Sequence, residues 1–503
     1  MALWLVVFLW LNLSGDRWKL IGADSDTCWH WQQGNWMLQH HAVLRTELFS
    51  HTRAGIPLID LSWLSDVAIA FAGNLFGWSG IVLLAATVCA TYLWLLHRQL
   101  LAEGDEMLLT TASVMLTAAV CEMHWLARPH LFTHLLVVVF AWQLRWFDRG
   151  RVTPRQLLIR LPLLTALWAN LHGEFPTAFV LIGICLIGTL VSWFWATADR
   201  RPELQRRTAV LVALGAACLL ASMLNPYGWK ALARVVQETS SPAVVGFPQE
   251  NLPPDFHVPI MRPFLVFGLV CVLMMPICRP YLRATDALLL VVWFLLSLRM
   301  VRNAPLFALI ATPILVEHWN GYLRSLSLSR VIRWGRDMSA RVTALNQTAA
   351  ARGLPAVAVA AMILVLAKPQ LVGGGPVLRT ELPSDRFPVG AVEFLRRSPD
   401  VIRGDMFNEY MWGGYLIWAL PERKVFIHPN LNVYGVKLLE DFIAANKAQP
   451  GWQDILKRYQ VDWTILPRDH PLNRDLAQSG QWALVYTDAV ATVYSRSRGN
   501  GVR

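Results

Sequence analysis

Two aspartates and a histidine lie close together near the start of the chain, in the run Asp24-Ser-Asp26-Thr-Cys-Trp-His30. Two carboxylates at this spacing can bind a divalent cation such as Mg²⁺ or Mn²⁺, and one of them can act as a general base toward a hydroxyl group. Asp24 and Asp26 are therefore the candidate catalytic and metal-binding residues, and His30 is a candidate substrate-binding residue. The alternative is a solvated loop in which an aspartate caps the following helix.

Further ionisable and aromatic residues lie in short turns between long apolar runs. A guanidinium group binds phosphate well, and ionisable groups at membrane depth usually face a cavity or a partner. The alternative for each single turn is an interfacial position, with arginines reaching toward lipid headgroups. The candidates for binding a donor phosphate are Arg128, Arg299 and Arg302, and those for binding substrate are His124, His172, Glu174, Asn225 and Tyr227.

The C-terminal part of the chain contributes one further candidate, the run Trp412-Gly413-Gly414-Tyr415. Two adjacent glycines between aromatic residues let the backbone approach a ligand closely, or simply form a tight turn. Trp412 and Tyr415 are accordingly candidate substrate-binding residues.

The composition of the chain identifies the elements that must position these residues. Of 503 residues, 55% are hydrophobic and only 16% are charged, too few to cover the surface of soluble domains of this total length. We therefore expect a polytopic α-helical membrane protein. Basic cytoplasmic loops account for the net charge of +11 more simply than a nucleic-acid partner does.

Eleven apolar segments are long enough, or nearly so, to cross a bilayer. They are residues 1–22, 76–97, 107–125, 131–147, 157–171, 176–197, 208–224, 263–279, 286–299, 304–319 and 354–372. A cytoplasmic N-terminus places more basic residues in the inside loops than in the longer outside loops, which favours an extracytoplasmic C-terminus. The expected organisation is a transmembrane domain at 1–375, with an external loop at 23–65, and an extracytoplasmic domain at 376–503.

The last 128 residues mix helical and β-like runs, which predicts a small α/β domain. The helical runs are Val389–Arg397, Val436–Lys447 and Trp452–Tyr459, and the β-like runs are Lys424–Ile427, Asp462–Leu466, Trp482–Tyr486 and Ala491–Tyr494. In the external loop, the amphipathic stretch Trp29–Leu44 is predicted to lie on the membrane surface.

Several common signatures are absent from the sequence. There is no GxxxxGK[ST] phosphate loop, no HExxH and no GxSxG. ATP-driven transport and zinc-protease activity therefore have no direct support.

Taken together, the external-loop and tail motifs resemble those of the GT-C class of polytopic glycosyltransferases, which use polyprenyl- or dolichyl-phosphate-linked sugars. The run from Asp26 to Trp31 is similar to the Asp-Pro-Trp-Phe-Asn-Tyr run of oligosaccharyltransferase catalytic subunits. The resemblance implies that an acidic residue of this loop is catalytic or binds a metal ion. Trp412-Gly413-Gly414-Tyr415 resembles Trp-Trp-Asp-Tyr-Gly but lacks the aspartate, so recognition of a sequon is not implied.

The sequence resembles more closely a group of uncharacterised bacterial glycosyltransferase-like membrane proteins. The matching runs are Asp24 to His30, Gly34-Asn-Trp36-Met37, Arg45-Thr-Glu47-Leu-Phe49-Ser50, Arg128-Pro, Asn170-Leu-His172-Gly, Asn225-Pro-Tyr227-Gly, Arg302-Asn303 and Trp-Gly-Gly-Tyr-Leu. The resemblance implies a bacterial inner membrane. One departure is His428-Pro429-Asn430, where the group tends to have Asp-Gly-Arg, which puts a ligand contact there in question.

The resulting hypothesis is a membrane glycosyltransferase acting on the extracytoplasmic face. It transfers a sugar from a polyprenyl-phosphate donor in the lipid bilayer to a glycan, lipid or protein acceptor, without nucleic acid. Asp24 or Asp26 is the base or metal ligand, and Arg299 and Arg302 stabilise the departing phosphate. The alternatives are a non-catalytic scaffold of envelope glycan synthesis with the same architecture, and a lipid or glycan transporter, which would need functional charges on both membrane faces.

Overall fold

A computed structural model describes residues 2–13, 24–104, 106–240, 249–277, 282–325, 334, 337–338, 340–341, 344, 349–368 and 382–497. The helices of the first three quarters of the chain are α1 Ala2–Leu13, α2 Ser25–His40, α3 Trp63–Ala102, α4 Met107–Cys121, α5 His130–Asp148, α6 Pro154–Leu171, α7 Thr177–Phe194, α8 Arg201–Ser222, α9 Trp229–Ser240, α10 Arg262–Met274, α11 Ala284–Arg299, α12 Ala304–Ser325 and α13 Ala349–Ala367.

Each of the eleven apolar segments overlaps one of these helices, although residues 1, 14–22, 278–279 and 369–372 of the segments lie outside the described residues. Four helices of the described part are long and apolar enough to cross a membrane: Trp63–Ala102, Met107–His124, Thr177–Phe194 and Arg201–Ser222. The mostly helical, membrane-type architecture is therefore observed. The number eleven and the orientation of the termini stay predictions.

Local sequence signals explain where one helix of this region begins and where another bends. Helix α6 begins at Pro154, with the Thr153 hydroxyl accepting from Gln156 N–H and the Gln156 side chain accepting from Thr153 N–H. This reciprocal capping pattern starts a helix efficiently. Helix α3 is bent at Phe76 and Gly77, where Gly77 has a φ of 60°, a conformation that glycine adopts at little cost.

The C-terminal domain contains a four-stranded sheet with strand order β1-β2-β4-β3. Its strands are β1 Asp405–Asn408, β2 Val461–Pro467, β3 Trp482–Thr487 and β4 Ala491–Arg496, and only the β1–β2 pair is parallel. Its helices are α14 Val389–Arg397, α15 Gly413–Ala419, α16 Gly435–Asn446, α17 Trp452–Arg458 and α18 Pro471–Gln478.

Both faces of this sheet are covered. Trp463 and Ile465 of β2 pack in one apolar cluster with α14 and α15, whereas Leu466 packs in another with α16 and α18. A strand buried on both faces is nearly continuously apolar, as β2 is. The small α/β domain is thus present, and its proposed boundary between residues 375 and 376 lies outside the described residues.

Two local expectations were wrong. Helix α2, which shares residues 29–40 with the stretch predicted to lie on the membrane surface, instead packs between α3 and α15, and nine of its residues are buried. The run Lys424–Ile427 forms no strand of the sheet; Val425 forms an isolated parallel bridge with Ser50 of the external loop. His51 N–H donates to Val425 O at 3.0 Å, and Val425 N–H donates to Phe49 O at 2.9 Å. The external loop is therefore attached to the C-terminal domain.

Candidate functional site

A cavity of about 480 Å³, here called the central cavity, lies where α2, the helical bundle and the C-terminal domain meet. Its walls come from the start of α2, the turns at 124–130, 172–177 and 300–303, the segment 250–251 and the tail segment 429–431. Seven of the candidate residues line it: Asp26, His30, His124, Arg128, His172, Glu174 and Arg302. Turns that gave only a weak signal individually in the sequence therefore meet at this cavity.

Arg128 connects the two aspartates of the external loop. Its Nε and Nη2 donate to the two carboxylate oxygens of Asp24, the Nη2 to Oδ1 distance being 2.7 Å. Its Nη1 lies 2.7 Å from Oδ2 of Asp26. Asp24 also accepts from Asp26 N–H and so caps α2. Both oxygens of Asp24 are thus engaged, and it lies behind the cavity wall that Asp26 forms.

Asp26 is the acidic group of this pair that faces the cavity. Burial raises the pKa of Asp26 to about 6, against the opposing effect of the Arg128 guanidinium. A carboxyl group with this pKa is mostly ionised at neutral pH and is still a stronger base than an ordinary aspartate. Asp26 therefore has the position and the proton affinity of a general base.

A second ion-paired centre lies across the cavity. Arg302 donates through Nε and Nη2 to Oε1 of Glu174, at 3.0 and 2.6 Å, and its Nη1 lies 3.5 Å from Oε1 of Glu250. The Arg302 guanidinium lowers the pKa of both glutamates, although burial acts in the opposite direction. Arg302 thus carries a fixed positive charge at the cavity wall.

Glu250 links the two arginines, because its Oε2 also lies 3.6 Å from Nη1 of Arg128. Asn251 accepts from Arg302 Nη1 at 3.2 Å through its side-chain oxygen. Both residues belong to a short turn at Gln249–Asn251. Glu250 thus connects the ion pairs of Arg128 with those of Arg302.

Five histidines line the same cavity: His30, His124, His130, His134 and His172. Burial lowers the pKa of His30 to about 4, so its ring is neutral at pH 7. Its Nδ1 lies 2.7 Å from Oδ1 of Asp66. His172 Nδ1 is within 2.9 Å of the Thr133 hydroxyl. These rings supply hydrogen-bonding groups to the cavity.

The remaining candidates do not line the cavity. Arg299 is exposed at the end of α11. Asn225 holds its own turn, accepting from Tyr227 N–H at 2.8 Å and donating to Ser222 O at 2.7 Å. The Tyr227 hydroxyl donates to Leu44 O at 2.9 Å, which fastens the external loop. These contacts give Asn225 and Tyr227 structural roles.

Trp412 and Tyr415 are also held away from the cavity lining. Trp412 Nε1 donates to Arg386 O at 2.9 Å, and Tyr415 is buried within α15. The two glycines begin this helix, and the backbone that they approach closely is that of Ile427 and Ser25 in the same chain. A Cβ on Gly414 would overlap the carbonyl oxygen of Ser25, and Tyr415 N–H donates to the Ser25 hydroxyl at 3.3 Å.

The aspartate pair does not fit a divalent cation in this arrangement. Among the described residues, no three His, Cys, Asp or Glu side chains are grouped so as to hold a metal ion. The guanidinium of Arg128 lies where a cation would have to bridge Asp24 and Asp26. Its nitrogens already pair with three of the four oxygens of Asp24 and Asp26 that would be ligands.

Sequence reasoning missed several residues of the cavity: Asp60, His130, His134, Glu250, Asn251 and Leu431. His130 and His134 carried a readable signal, because they are four residues apart and so share one face of α5. Glu250 carried none, since nothing in its neighbourhood predicts contact with residues more than 50 positions away in the chain.

The opposite end of α5 carries a second charge cluster. It consists of Glu103, Arg145, Asp148, Arg149, Arg207, Arg283, Asp286 and Glu317. For example, Arg145 Nη2 lies 2.7 Å from Oε2 of Glu317, and Arg283 Nη1 lies 2.7 Å from Oδ2 of Asp148. The cavity beside this cluster measures only about 40 Å³. Positive and negative groups are balanced there, which suits a structural network.

Comparison with known proteins gives no match to a family model and no match among curated proteins. Solved structures do match. Archaeal oligosaccharyltransferase AglB from Archaeoglobus fulgidus, in complex with an inhibitory peptide and a dolichol-phosphate, aligns with a TM-score of 0.58 and 11% identity over 99% of this chain and 74% of that chain. ArnT from Cupriavidus metallidurans, bound to undecaprenyl phosphate, aligns with a TM-score of 0.50 and 13% identity over 99% of this chain and 97% of that chain.

The chain has the GT-C fold. AglB and ArnT are both GT-C glycosyltransferases, so the resemblance drawn from the sequence motifs is confirmed at the level of structure. At 11–13% identity, the likeness establishes the GT-C architecture and assigns no reaction to the chain.

Proposed function

We propose that this GT-C chain transfers a sugar from a polyprenyl-phosphate donor to an acceptor hydroxyl group in the central cavity. The observation that carries the proposal is that Asp26 and Arg302 both line one cavity of about 480 Å³. One group is a base with a raised pKa and the other a half-buried cation. The ligands of the neighbours support the donor class, since AglB was solved with dolichol-phosphate and ArnT with undecaprenyl phosphate.

The step is a displacement at the anomeric carbon of the donor sugar. The acceptor hydroxyl loses its proton to the Asp26 carboxylate as its oxygen bonds to that carbon. The bond between the carbon and the phosphate oxygen breaks, and its electron pair leaves with the lipid phosphate. Arg302 stabilises the negative charge that develops on this leaving group.

Glu174 and Glu250 hold the Arg302 guanidinium in place for that task. Arg302 donates to Glu174 through two nitrogens, which fixes the plane of the guanidinium. The neutral ring of His30 and the ring of His172 are placed to orient sugar hydroxyls.

The C-terminal domain supplies the acceptor side of the site. Pro429, Asn430 and Leu431 line the cavity, while His428 is fully buried behind them. The departure from the Asp-Gly-Arg pattern therefore falls on the cavity lining itself. The different residues at this position support an acceptor that differs from that of the proteins with Asp-Gly-Arg. They are also compatible with the scaffold alternative.

Transport is the second candidate, because a charge cluster lies at each end of α5. The balanced pairs and the small cavity at the far end make a pathway there less favourable. Transport requires no base, so the two functions respond differently to loss of Asp26.

A transfer assay in nanodiscs tests the proposal. Panels of polyprenyl-phosphate sugars are supplied with candidate acceptors, and release of the lipid phosphate is measured by mass spectrometry. Asp26→Asn should reduce release at least about 100-fold, the scale of general-base catalysis. Asp255→Asn, at an exposed aspartate, is the matched control. An unchanged rate in Asp26→Asn would overturn the assignment of the base.

A further inference from the structure

We infer that the Arg128 guanidinium takes the place of a divalent cation in this site. It holds Asp26 and Glu250 in position as a built-in positive charge, so that sugar transfer needs no metal ion. The part of this inference that concerns transfer rests on the proposed function. The part that concerns cation binding does not.

Three carboxylates converge on Arg128, two from the start of α2 and one from the segment at residue 250. Asp24 accepts from Nε and Nη2, Asp26 lies 2.7 Å from Nη1, and Glu250 lies 3.6 Å from Nη1. Convergent carboxylate oxygens around one point are the ligand set of a hard divalent cation. Here that point is filled by a group that is covalently part of the protein.

The oxygens left for a metal ion are too few. Glu250 Oε1 lies 3.5 Å from Nη1 of Arg302, and its Oε2 faces Arg128. Both oxygens of Asp24 accept from Arg128. Only Oδ1 of Asp26 lies outside these ion pairs. Mg²⁺ usually binds through one or two carboxylates and keeps several waters, so a cation shared by two of these carboxylates has to take the place that the guanidinium occupies.

The backbone fixes the position from which Arg128 reaches the carboxylates. The Thr27 hydroxyl, one turn along α2, donates to Ala127 O at 3.2 Å, and Leu131 N–H donates to Arg128 O at 3.2 Å. Arg128 is thus tied to the same helix that carries Asp24 and Asp26. Its side chain is only 18% exposed, which keeps the ion pairs in a medium where they are strong.

Removal of the guanidinium should expose the latent cation site. Arg128→Ala removes the guanidinium that pairs Asp24 and Asp26 and leaves Glu250 with Arg302 alone. A divalent cation then relieves the repulsion between the carboxylates. Arg302→Ala is the matched control, because Arg302 is also a cavity arginine that contacts Glu250. Loss of positive charge is equal in the two variants, whereas the geometry of the vacated site is not.

Mn²⁺ binding to the full chain in nanodiscs, followed by electron paramagnetic resonance, is the decisive experiment. The wild type and Arg302→Ala should bind no stoichiometric Mn²⁺. Arg128→Ala should bind one Mn²⁺ per chain, at least about tenfold more tightly than the wild type or Arg302→Ala. The double variant Arg128→Ala with Asp26→Asn should lose this Mn²⁺ binding. One tightly bound Mn²⁺ in the wild type, lost in Asp26→Asn, would overturn the inference, as would equal binding by the two arginine variants. If Arg128→Ala does not fold, the wild-type titration alone still decides.

The transfer assay separates this inference from the proposed function. With a donor and acceptor that react, EDTA should change the wild-type rate less than twofold. In Arg128→Ala, added Mn²⁺ should raise the reduced rate of transfer at least about tenfold. A wild type that stops reacting in EDTA contradicts the inference while leaving glycosyl transfer intact. A wild type that never reacts contradicts the proposed function, and the Mn²⁺ titration still settles the role of Arg128.

Discussion

Gly414 of the C-terminal domain lies directly against the backbone of Ser25, the residue between the two aspartates of the external loop. A side chain on Gly414 would overlap the Ser25 carbonyl oxygen, so α15 can touch the start of α2 only because the residue is glycine. The C-terminal domain therefore supports the helix that carries Asp26. This contact links the C-terminal domain to the residues that line the cavity.

Gly414→Ala is accordingly predicted to disturb the site from a distance. The added methyl group forces α15 and α2 apart, at a cost of about 1–3 kcal/mol. We expect a lower Tm and a reduced rate of transfer. Thermal unfolding in nanodiscs measures the first effect and the transfer assay the second. Gly183→Ala is the control, since nothing lies within 4 Å of a Cβ there, and it should leave both unchanged.

The pH profile of transfer should report the raised pKa of Asp26. The base must be ionised, so the rate should rise with pH and level off above a midpoint near 6. A midpoint near the ordinary value of 3.8 would mean that another group is the base.

Asp26→Asn is predicted to keep or gain stability while it loses transfer. Because folding raises the pKa of Asp26, the carboxyl group favours the folded state most below pH 3.8, and this contribution is lost as pH rises to about 6. At pH 7 the buried charge is therefore a net cost, which the neutral amide removes. A Tm equal to or above that of the wild type is expected, and a marked fall in Tm would contradict the account.

Arg302 should dominate affinity for the lipid phosphate, and its neighbour Arg299 should not. Arg302 lines the cavity, whereas Arg299 is exposed. Loss of charge-assisted hydrogen bonds worth about 1.5–3 kcal/mol predicts about 10- to 100-fold weaker binding of undecaprenyl phosphate by Arg302→Ala. Native mass spectrometry can compare the two variants. Equal losses would indicate non-specific attraction to the headgroup.

Tyr227 should act through structure alone. Its hydroxyl donates to Leu44 O, so Tyr227→Phe removes one hydrogen bond that fastens the external loop. A loss of about 1 kcal/mol of stability is expected, with affinity for undecaprenyl phosphate unchanged. Weaker lipid binding at unchanged stability would restore the substrate-binding role expected from the sequence.

The sequence predicted the helical elements well, because hydrophobic runs mark membrane-type helices directly. It predicted poorly where a long-range contact decides the outcome. Trp29–Leu44 looked like a surface helix, yet Gly34 allows α2 to pack against the backbone of Asp66, which buries it. Likewise, Glu250 enters the cavity only through contacts with Arg128 and Arg302. No local pattern encodes such pairings.

The most direct test of the central claim is a cryo-electron microscopy structure of the chain in a nanodisc with a polyprenyl-phosphate lipid. The account predicts phosphate density in the central cavity, within hydrogen-bonding distance of the Arg302 guanidinium, with the Asp26 carboxylate facing the same space. A cavity that stays free of lipid, or a phosphate bound at the other end of α5 beside Arg145 and Arg283, would contradict it.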